Sequence, residues 1–144
     1  MNISEYNSTA WDKEVEKGIS WSIPVSSAEI EEARSGNWSI ILTPKKAVPR
    51  EWFGDVKGKD ILCLASGGGQ QAPILAASGA KVTSFDNSAK QLEQDKFVAE
   101  RDNLQIRIEK GDAANLSRFE SESFDLIFHP CSNCFMENIL VIWR

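Results

Sequence analysis

The chain has 144 residues, of which 42% are apolar and 26% charged, as is typical of one soluble globular domain rather than a disordered or fibrous chain. Its formal charge of -5 argues against a nucleic-acid partner, because phosphate binding needs clustered Lys and Arg side chains. The sequence shows neither a signal peptide nor an apolar run that could span a membrane. We therefore expect a cytoplasmic protein without membrane contacts.

Residues 1–57 form a predicted helical cap that precedes the core at residues 58–144. Asn7 or Ser8 is a suitable N-cap for its first helix, and Gly18 is suitable for ending that helix. The chain therefore begins with helical structure before any buried strand.

A second helix begins at the capping box formed by Ser26 and Glu29, and Gly36 ends it. Residues 38–42 are then predicted to be extended. Pro44 and Pro49 follow, and two prolines so close together predict a loop before the core.

From residue 60 onward, apolar runs alternate with helical patterns. The predicted elements are a strand over 61–64, a helix over 70–80, a strand over 81–85, a helix from the Ser88–Gln91 capping box, strands over 106–108 and 124–128, and a helix over 136–144. We expect that Leu92, Phe97 and Val98 face the sheet and that charged residues between 93 and 101 form a solvated helix face. The alternation predicts an α/β fold with a doubly wound, Rossmann-like parallel sheet.

A glycine-rich loop, residues 65–72, lies between the first core strand and its helix. Missing Cβ atoms at Gly67, Gly68 and Gly69 let backbone N–H groups approach a ligand, and a helix N-terminus favours anionic groups. The loop therefore predicts a carboxylate or phosphate site, with a merely tight turn as the alternative.

Asp86 ends the second core strand, 19 residues after Gly67, where a carboxylate can bind both hydroxyls of an adenosine ribose. A simple turn before Asn87 is the alternative. The spacing Gly67-x-Gly69-x-x-Ala72 also fits a dinucleotide site, so S-adenosylmethionine and NAD both remain open. The long leader and the Gly111-Asp112-Ala113 turn after the third core strand favour S-adenosylmethionine.

With these motifs, residues 57–128 resemble the cofactor-binding half of the class I S-adenosylmethionine-dependent methyltransferases. The resemblance implies that the glycine loop holds the methionine portion, Asp86 the ribose, and Asp112 with Ala113 the adenine. The leader is similar to the cap that small-molecule members fold over the cofactor. The predicted cofactor-binding residues are Ala65, Ser66, Gly67, Gly69, Gln71, Asp86, Asn87, Asp112, Ala113, His129, Tyr6 and Trp11.

The sequence departs from that family at one position in the first core strand, at one position in the glycine-rich loop, and in length. The family usually has an acidic residue where Cys63 stands and a glycine where Ala65 stands. Its sheet has seven strands, whereas this chain ends after the fourth, which predicts a C-terminally truncated sheet. The uncovered apolar edge at 124–128 then predicts a homo-oligomer, or a missing half supplied elsewhere.

His129, Cys131 and Cys134 follow the fourth core strand. One Cys-x-x-Cys pair without a second ligand pair is weak evidence for zinc, so we predict no metal site and reduced thiols. His129 is the one catalytic candidate. The leading hypothesis is methyl transfer to a small-molecule acceptor; the alternatives are a non-catalytic S-adenosylmethionine-binding fragment and an NAD-binding oxidoreductase half.

Overall fold

The computed structural model describes residues 1–43 and 45–143. Pro44, part of a predicted loop, and Arg144, the last residue of the predicted final helix, lie outside the described residues. The helices are α1 (Ile3–Glu16), α2 (Ser27–Arg34), α3 (Gln71–Ala77), α4 (Ala89–Arg101) and α5 (Ile139–Ile142), and the strands are β1 (Ile41–Thr43), β2 (Lys46–Ala47), β3 (Asp60–Leu64), β4 (Lys81–Asp86), β5 (Ile106–Lys110) and β6 (Leu126–Phe128). Among the described residues, no helix combines the length and apolar character needed to cross a bilayer.

The core is a four-stranded parallel sheet in the order β5-β4-β3-β6, and β1 and β2 form a separate antiparallel pair. Strand β3 pairs with β4 on one side and with β6 on the other. This arrangement confirms the predicted α/β fold and the Rossmann-like parallel sheet. Because all four strands run in one direction, their carboxyl ends meet at one edge.

Strand β3 is buried on both faces, which explains its continuous apolar run. Ile61 and Cys63 join a core cluster with residues of α2, α3 and α4, whereas Leu62 and Leu64 pack on the opposite face. The opposite face is covered by side chains from the connection over 111–125, where the described backbone is not helical. The core therefore lies on both sides of the sheet, as a doubly wound fold requires.

Helix α1 begins earlier than the sequence predicts. Asn2 is its N-cap, since the Asn2 side chain accepts a hydrogen bond from the Glu5 N–H at 2.8 Å and Glu5 accepts one from the Asn2 N–H. The predicted caps Asn7 and Ser8 are wrong, because both residues lie inside the helix. The predicted end is confirmed by Gly18, which follows the helix at a φ of +71°.

The capping box that opens α2 at Ser26 is confirmed, but the box predicted for α4 is only half formed. The Ser88 hydroxyl accepts a hydrogen bond from the Gln91 N–H at 3.1 Å. The Ser88 N–H donates to Asp86 Oδ1 at 2.9 Å rather than to the Gln91 side chain. Asp86 therefore takes the place that the sequence assigns to Gln91.

The buried face of α4 differs from the prediction at two residues. Leu92 and Val98 are buried as expected, but Phe97 is 51% exposed, with the Arg101 guanidinium over its ring. Phe97 lies five residues after Leu92, a rotation of about 140° around the helix, which turns it to the solvated side. Asp95, expected on that solvated side, is instead completely buried.

The other boundary differences are at the ends of elements. Strand β6 is shorter than the predicted strand 124–128, and Phe124 precedes it as a partly buried residue packed against the core. The extended residues 38–42 yield a strand at Ile41–Thr43 only. Helix α3 ends before the predicted residue 80, and in the described part of the final predicted helix, residues 136–143, helix is found at Ile139–Ile142.

Candidate functional site

The carboxyl ends of β3, β4 and β5 open into a cavity of about 520 Å³. Helix α1 forms one wall, and the segment after β6, residues 130–142, forms another. A cavity of this size is typical of a site for one small molecule. Because the cavity lies at the carboxyl ends of the strands, it occupies the position where doubly wound sheets bind their ligands.

The structure brings most of the predicted site residues to this cavity. Among the described residues, those that line it are Ala65, Ser66, Gly67, Gln71, Asp86, Asn87, Asp112, Ala113 and Trp11. Gly69, His129 and Tyr6 do not line it, and Tyr6 is 64% exposed. The cavity wall thus includes eight of the ten predicted residues at the sheet edge and one of the two in the leader.

The glycine-rich loop is held against the ends of β4 and α4 at Gly67. The Gly67 N–H donates to Asp86 Oδ2 at 3.0 Å. A Cβ added to Gly67 would lie 2.9 Å from Gln91 Cβ and 3.4 Å from Asp86 Cβ. Glycine is therefore required here by close approach.

Asp86 accepts hydrogen bonds from two backbone groups, the Gly67 N–H at Oδ2 and the Ser88 N–H at Oδ1. Burial raises the pKa of Asp86, although these hydrogen bonds oppose the rise. A carboxylate oxygen can accept more than one hydrogen bond, so Asp86 retains acceptor capacity at the cavity wall. Its geometry suits a ligand that presents hydroxyl groups.

The turn after β5 brings Asp112 to the same cavity. The Gly111 N–H donates to the Asp86 carbonyl at 3.0 Å, which places the turn beside the end of β4. Asp112 Oδ1 accepts a hydrogen bond from the Ala114 N–H at 2.9 Å, and Ala113 is buried beneath. A carboxylate and a small apolar side chain therefore lie side by side on this wall.

Helix α1 is attached to the site by polar contacts. The Ser8 hydroxyl donates to the Asn87 carbonyl at 2.8 Å, and Asn87 Nδ2 donates to the Ser4 carbonyl at 2.7 Å. Asp12 Oδ1 accepts hydrogen bonds from the Ser88 hydroxyl at 2.6 Å and the Lys90 N–H at 3.0 Å. Asp12 thus caps α4 from another helix, a role that no local pattern in the sequence signals.

Trp11 joins the leader to the far wall of the cavity. Its ring packs edge to face on Phe135 at a centroid distance of 5.2 Å, and Asn7 Nδ2 donates to the Phe135 carbonyl at 2.6 Å. The leader and the segment after β6 therefore meet across the cavity.

The residues described along the cavity wall include acidic side chains but no Lys, Arg or His. The acidic residues are Asp86, Asp112 and Glu137. An acidic lining attracts a ligand that carries positive charge.

Two comparisons decide the family. The sequence profile of the methyltransferase domain matches residues 62–144, which is more than half of the chain. The chain belongs to the methyltransferase domain family. An uncharacterized methyltransferase of Bacillus subtilis (strain 168), YbaJ, is 55% identical over 139 residues; the match covers 96% of this chain and 54% of YbaJ. This chain therefore spans about half the length of that curated relative.

Solved structures show the same fold. The phosphoethanolamine N-methyltransferase 1 of Haemonchus contortus, solved with phosphoethanolamine and S-adenosylhomocysteine, aligns with a TM-score of 0.59 over 88% of this chain and 25% of its own, at 19% identity. The YcgJ protein of Bacillus subtilis aligns with a TM-score of 0.58 over 64% of this chain and 39% of its own, at 17% identity. The predicted class I methyltransferase family and its fold are confirmed.

In this methyltransferase domain, the two departures at Cys63 and Ala65 have different consequences. Cys63 is completely buried in the sheet core, where burial raises the pKa of its thiol, so it presents no acceptor to the cavity. Ala65 has a φ of +50°, in the left-handed region that glycine occupies readily. The backbone at residue 65 therefore keeps a conformation that favours glycine, although the residue there is alanine.

His129 links strand ends rather than facing the cavity. Its Nδ1 lies 2.8 Å from the Leu64 carbonyl, and its Nε2 lies 2.9 Å from Asn133 Oδ1. A carbonyl only accepts hydrogen bonds, so Nδ1 carries a proton in this arrangement. Because both ring nitrogens lie against protein oxygens rather than the cavity, the geometry does not favour His129 as the catalytic candidate.

Gln91 is a cavity-lining residue that the sequence assigns only to helix capping. Its side chain is 5% exposed, and its Oε1 has no hydrogen-bond partner among the described residues. One signal in the sequence could have indicated that Gln91 lines the cavity. Gln91 lies in the first turn of a helix that follows a strand ending in Asp.

Proposed function

We propose that this methyltransferase domain binds S-adenosylmethionine in the cavity and supports transfer of its methyl group to a small-molecule acceptor. The observation that carries the proposal is the contact between the glycine loop and Asp86, with Asp112 on the neighbouring turn of the same cavity. Three strand ends thus contribute one continuous site. The family match does not favour the NAD-binding alternative.

The described residues fit this cofactor. At Gly67 a Cβ would collide with Gln91, so glycine keeps the loop close to the floor of the site. Asp86 has remaining acceptor capacity for ribose hydroxyls, and the acidic lining suits a ligand with a sulfonium and an ammonium group. The shape of the loop and the charge of the cavity lining therefore both suit S-adenosylmethionine.

The proposed roles follow the order of the strands. The loop at Ala65, Ser66 and Gly67 holds the methionine portion, and Asp86 accepts hydrogen bonds from the ribose hydroxyls. Asp112 and Ala113 flank the adenine.

When bound, S-adenosylmethionine supplies a methyl group already activated by its positively charged sulfur. The chain contributes binding, orientation and exclusion of water, with α1 covering one side of the cavity. Orientation of two reactants can lower a barrier by roughly 7 to 11 kcal/mol. A catalytic base is therefore not required for a nucleophilic acceptor, which agrees with the position of His129.

A titration of the chain with S-adenosylhomocysteine, followed by calorimetry, tests the proposal. We expect saturable binding that Asp86→Ala weakens at least tenfold, about 1.4 kcal/mol, because the ribose loses its acceptor and the loop loses its anchor. Glu51→Gln, at an exposed residue outside the cavity, is the control and should bind like the unaltered chain. Binding of NADH in preference to S-adenosylhomocysteine, or equal affinity of the Asp86 variant, would contradict the proposal.

Turnover separates catalysis from binding alone. A methyltransferase converts S-adenosylmethionine to S-adenosylhomocysteine when an acceptor is present, whereas a binding fragment returns it unchanged. A screen of amine, hydroxyl and carbon acceptors should reveal acceptor-dependent product. Because the chain spans about half of YbaJ, the same screen on full-length YbaJ is the matched comparison.

A further inference from the structure

Asp95 is a completely buried carboxylate on the inner face of α4, outside the cavity lining. Its Oδ1 accepts a hydrogen bond from the Gly69 N–H at 2.7 Å. Its Oδ2 accepts one from the Ser84 hydroxyl at 2.6 Å. One side chain therefore connects α4, the glycine loop and β4.

Gly69 depends on such backbone contacts for its position. Its φ is +78°, and an added Cβ would lie 3.0 Å from Pro24 Cα and 3.1 Å from the Gln94 carbonyl oxygen. Its own carbonyl accepts a hydrogen bond from the Val25 N–H at 2.9 Å. Asp95 and Val25 thus hold the two polar groups of a residue that has no side chain.

We infer that Asp95 is a positioning residue of the cofactor site, which fixes the glycine loop against β4 through the Gly69 N–H. The inference rests on the proposed function, because the loop is the part of the site assigned to the methionine portion. Asp95 acts through Gly69 and does not touch the ligand. The loop is therefore set by a buried acid as well as by Asp86 at its other end.

A buried carboxylate is costly, so its persistence at this point requires strong partners. The titratable groups that face it are Asp86, at the end of β4, and Cys63, on β3. Burial raises the pKa of Asp95 to about 7, against the opposing effect of its hydrogen bonds to Ser84 and Gly69, and the charge of Asp86 adds to the rise. The loop anchor thus changes its charge near neutral pH.

Asparagine is the informative substitution at this position. Its side-chain oxygen can accept from the Gly69 N–H while its amide group donates to the Ser84 hydroxyl, so Asp95→Asn keeps the first bond, reverses the direction of the second and removes the charge. Asp95→Ala removes both bonds. A positioning role therefore predicts that the first variant retains affinity and that the second loses it.

Calorimetric titration with S-adenosylhomocysteine at neutral pH is the first test. We expect Asp95→Ala to raise the Kd at least tenfold and Asp95→Asn to stay within about threefold of the unaltered chain. Glu100→Gln, on the exposed face of the same helix, is the control and should leave the Kd unchanged. Equal affinity of Asp95→Ala and the unaltered chain would overturn the inference.

The amide resonance of Gly69 is the second test, and it needs no ligand and no folded alanine variant. In the unaltered chain its shift should titrate with a midpoint near pH 7, and in Asp95→Asn that step should vanish. A Gly69 amide resonance that Asp95→Asn leaves unchanged would refute the contact. If the unaltered chain binds no S-adenosylhomocysteine, the proposed function fails, and the Gly69 resonance still decides the positioning role.

Discussion

Gly67→Ala tests whether close approach at the glycine loop builds the site. The added Cβ would lie 2.9 Å from Gln91 Cβ, 3.2 Å from the Gln91 carbonyl carbon and 3.4 Å from Asp86 Cβ. Carbon atoms pack at about 3.5 to 4.0 Å, so the loop must move away from α4 by several tenths of an ångström. Gly67 is not among the glycines with a positive φ, so the effect is steric rather than a backbone penalty.

The magnitude follows from two contributions. Overpacking of this kind costs about 1 to 3 kcal/mol, and weakening the 3.0 Å bond from the Gly67 N–H to Asp86 adds about 1 kcal/mol. If the loop moves and α4 does not, the loop leaves the position in which it binds the ligand. The Kd for S-adenosylhomocysteine should then rise about tenfold or more.

Calorimetry measures the affinity, and urea unfolding measures the stability. Gly36→Ala is the matched control, because its Cβ would meet nothing within 4 Å while its φ of +92° makes the substitution strained. The control should lose stability and keep affinity. Full affinity and unchanged stability in Gly67→Ala would refute the steric reasoning.

Three further predictions concern the leader, the loop and the sheet edge. Asp12→Ala removes the acceptor that joins α1 to α4, so the Kd for S-adenosylhomocysteine, measured by calorimetry, should rise about threefold to tenfold. An unchanged Kd would show that α1 does not order the site. Ala65→Gly relieves the strain of an alanine at a φ of +50° and should raise the free energy of unfolding, measured by urea titration, by about 1 kcal/mol. A lower free energy of unfolding would contradict this strain. Ile127 is 54% exposed on edge strand β6, so we expect light scattering to show self-association that Ile127→Lys reduces. A monomeric chain at working concentration would contradict this prediction.

The pH dependence of stability has a definite sign at Asp95. Its pKa in the folded chain, about 7, lies above its ordinary value of 3.8, so the folded state binds the proton more tightly than the unfolded state. This group therefore stabilises the fold most at low pH, and its contribution decreases as pH rises from about 4 to about 7. Thermal unfolding of Asp95→Asn should lack that decrease.

The sequence predicts the order of the core elements and the convergence of three site positions. Gly67, Asp86 and Asp112 each follow a strand, and parallel strands bring their carboxyl ends to one edge. No long-range contact has to be known for that inference. This part of the site follows from topology alone.

The remaining contacts depend on tertiary packing that no local pattern encodes. Asn7 and Ser8 are suitable caps by residue type, yet Ser8 bonds to Asn87 and the helix begins at Asn2. Asp95 is indistinguishable in sequence from the solvated acids around it, because its partner Gly69 lies 26 residues away. Tertiary contacts override local preference at both places.

Amide spectra of the chain during titration with S-adenosylhomocysteine test the central claim most directly. Saturable shifts should be concentrated at Ala65 to Gly67, at Asp86 to Ser88 and at Gly111 to Ala113, the three strand ends that line the cavity. Shifts that are absent, or that lie on the opposite edge of the sheet, would contradict a cofactor site at these residues.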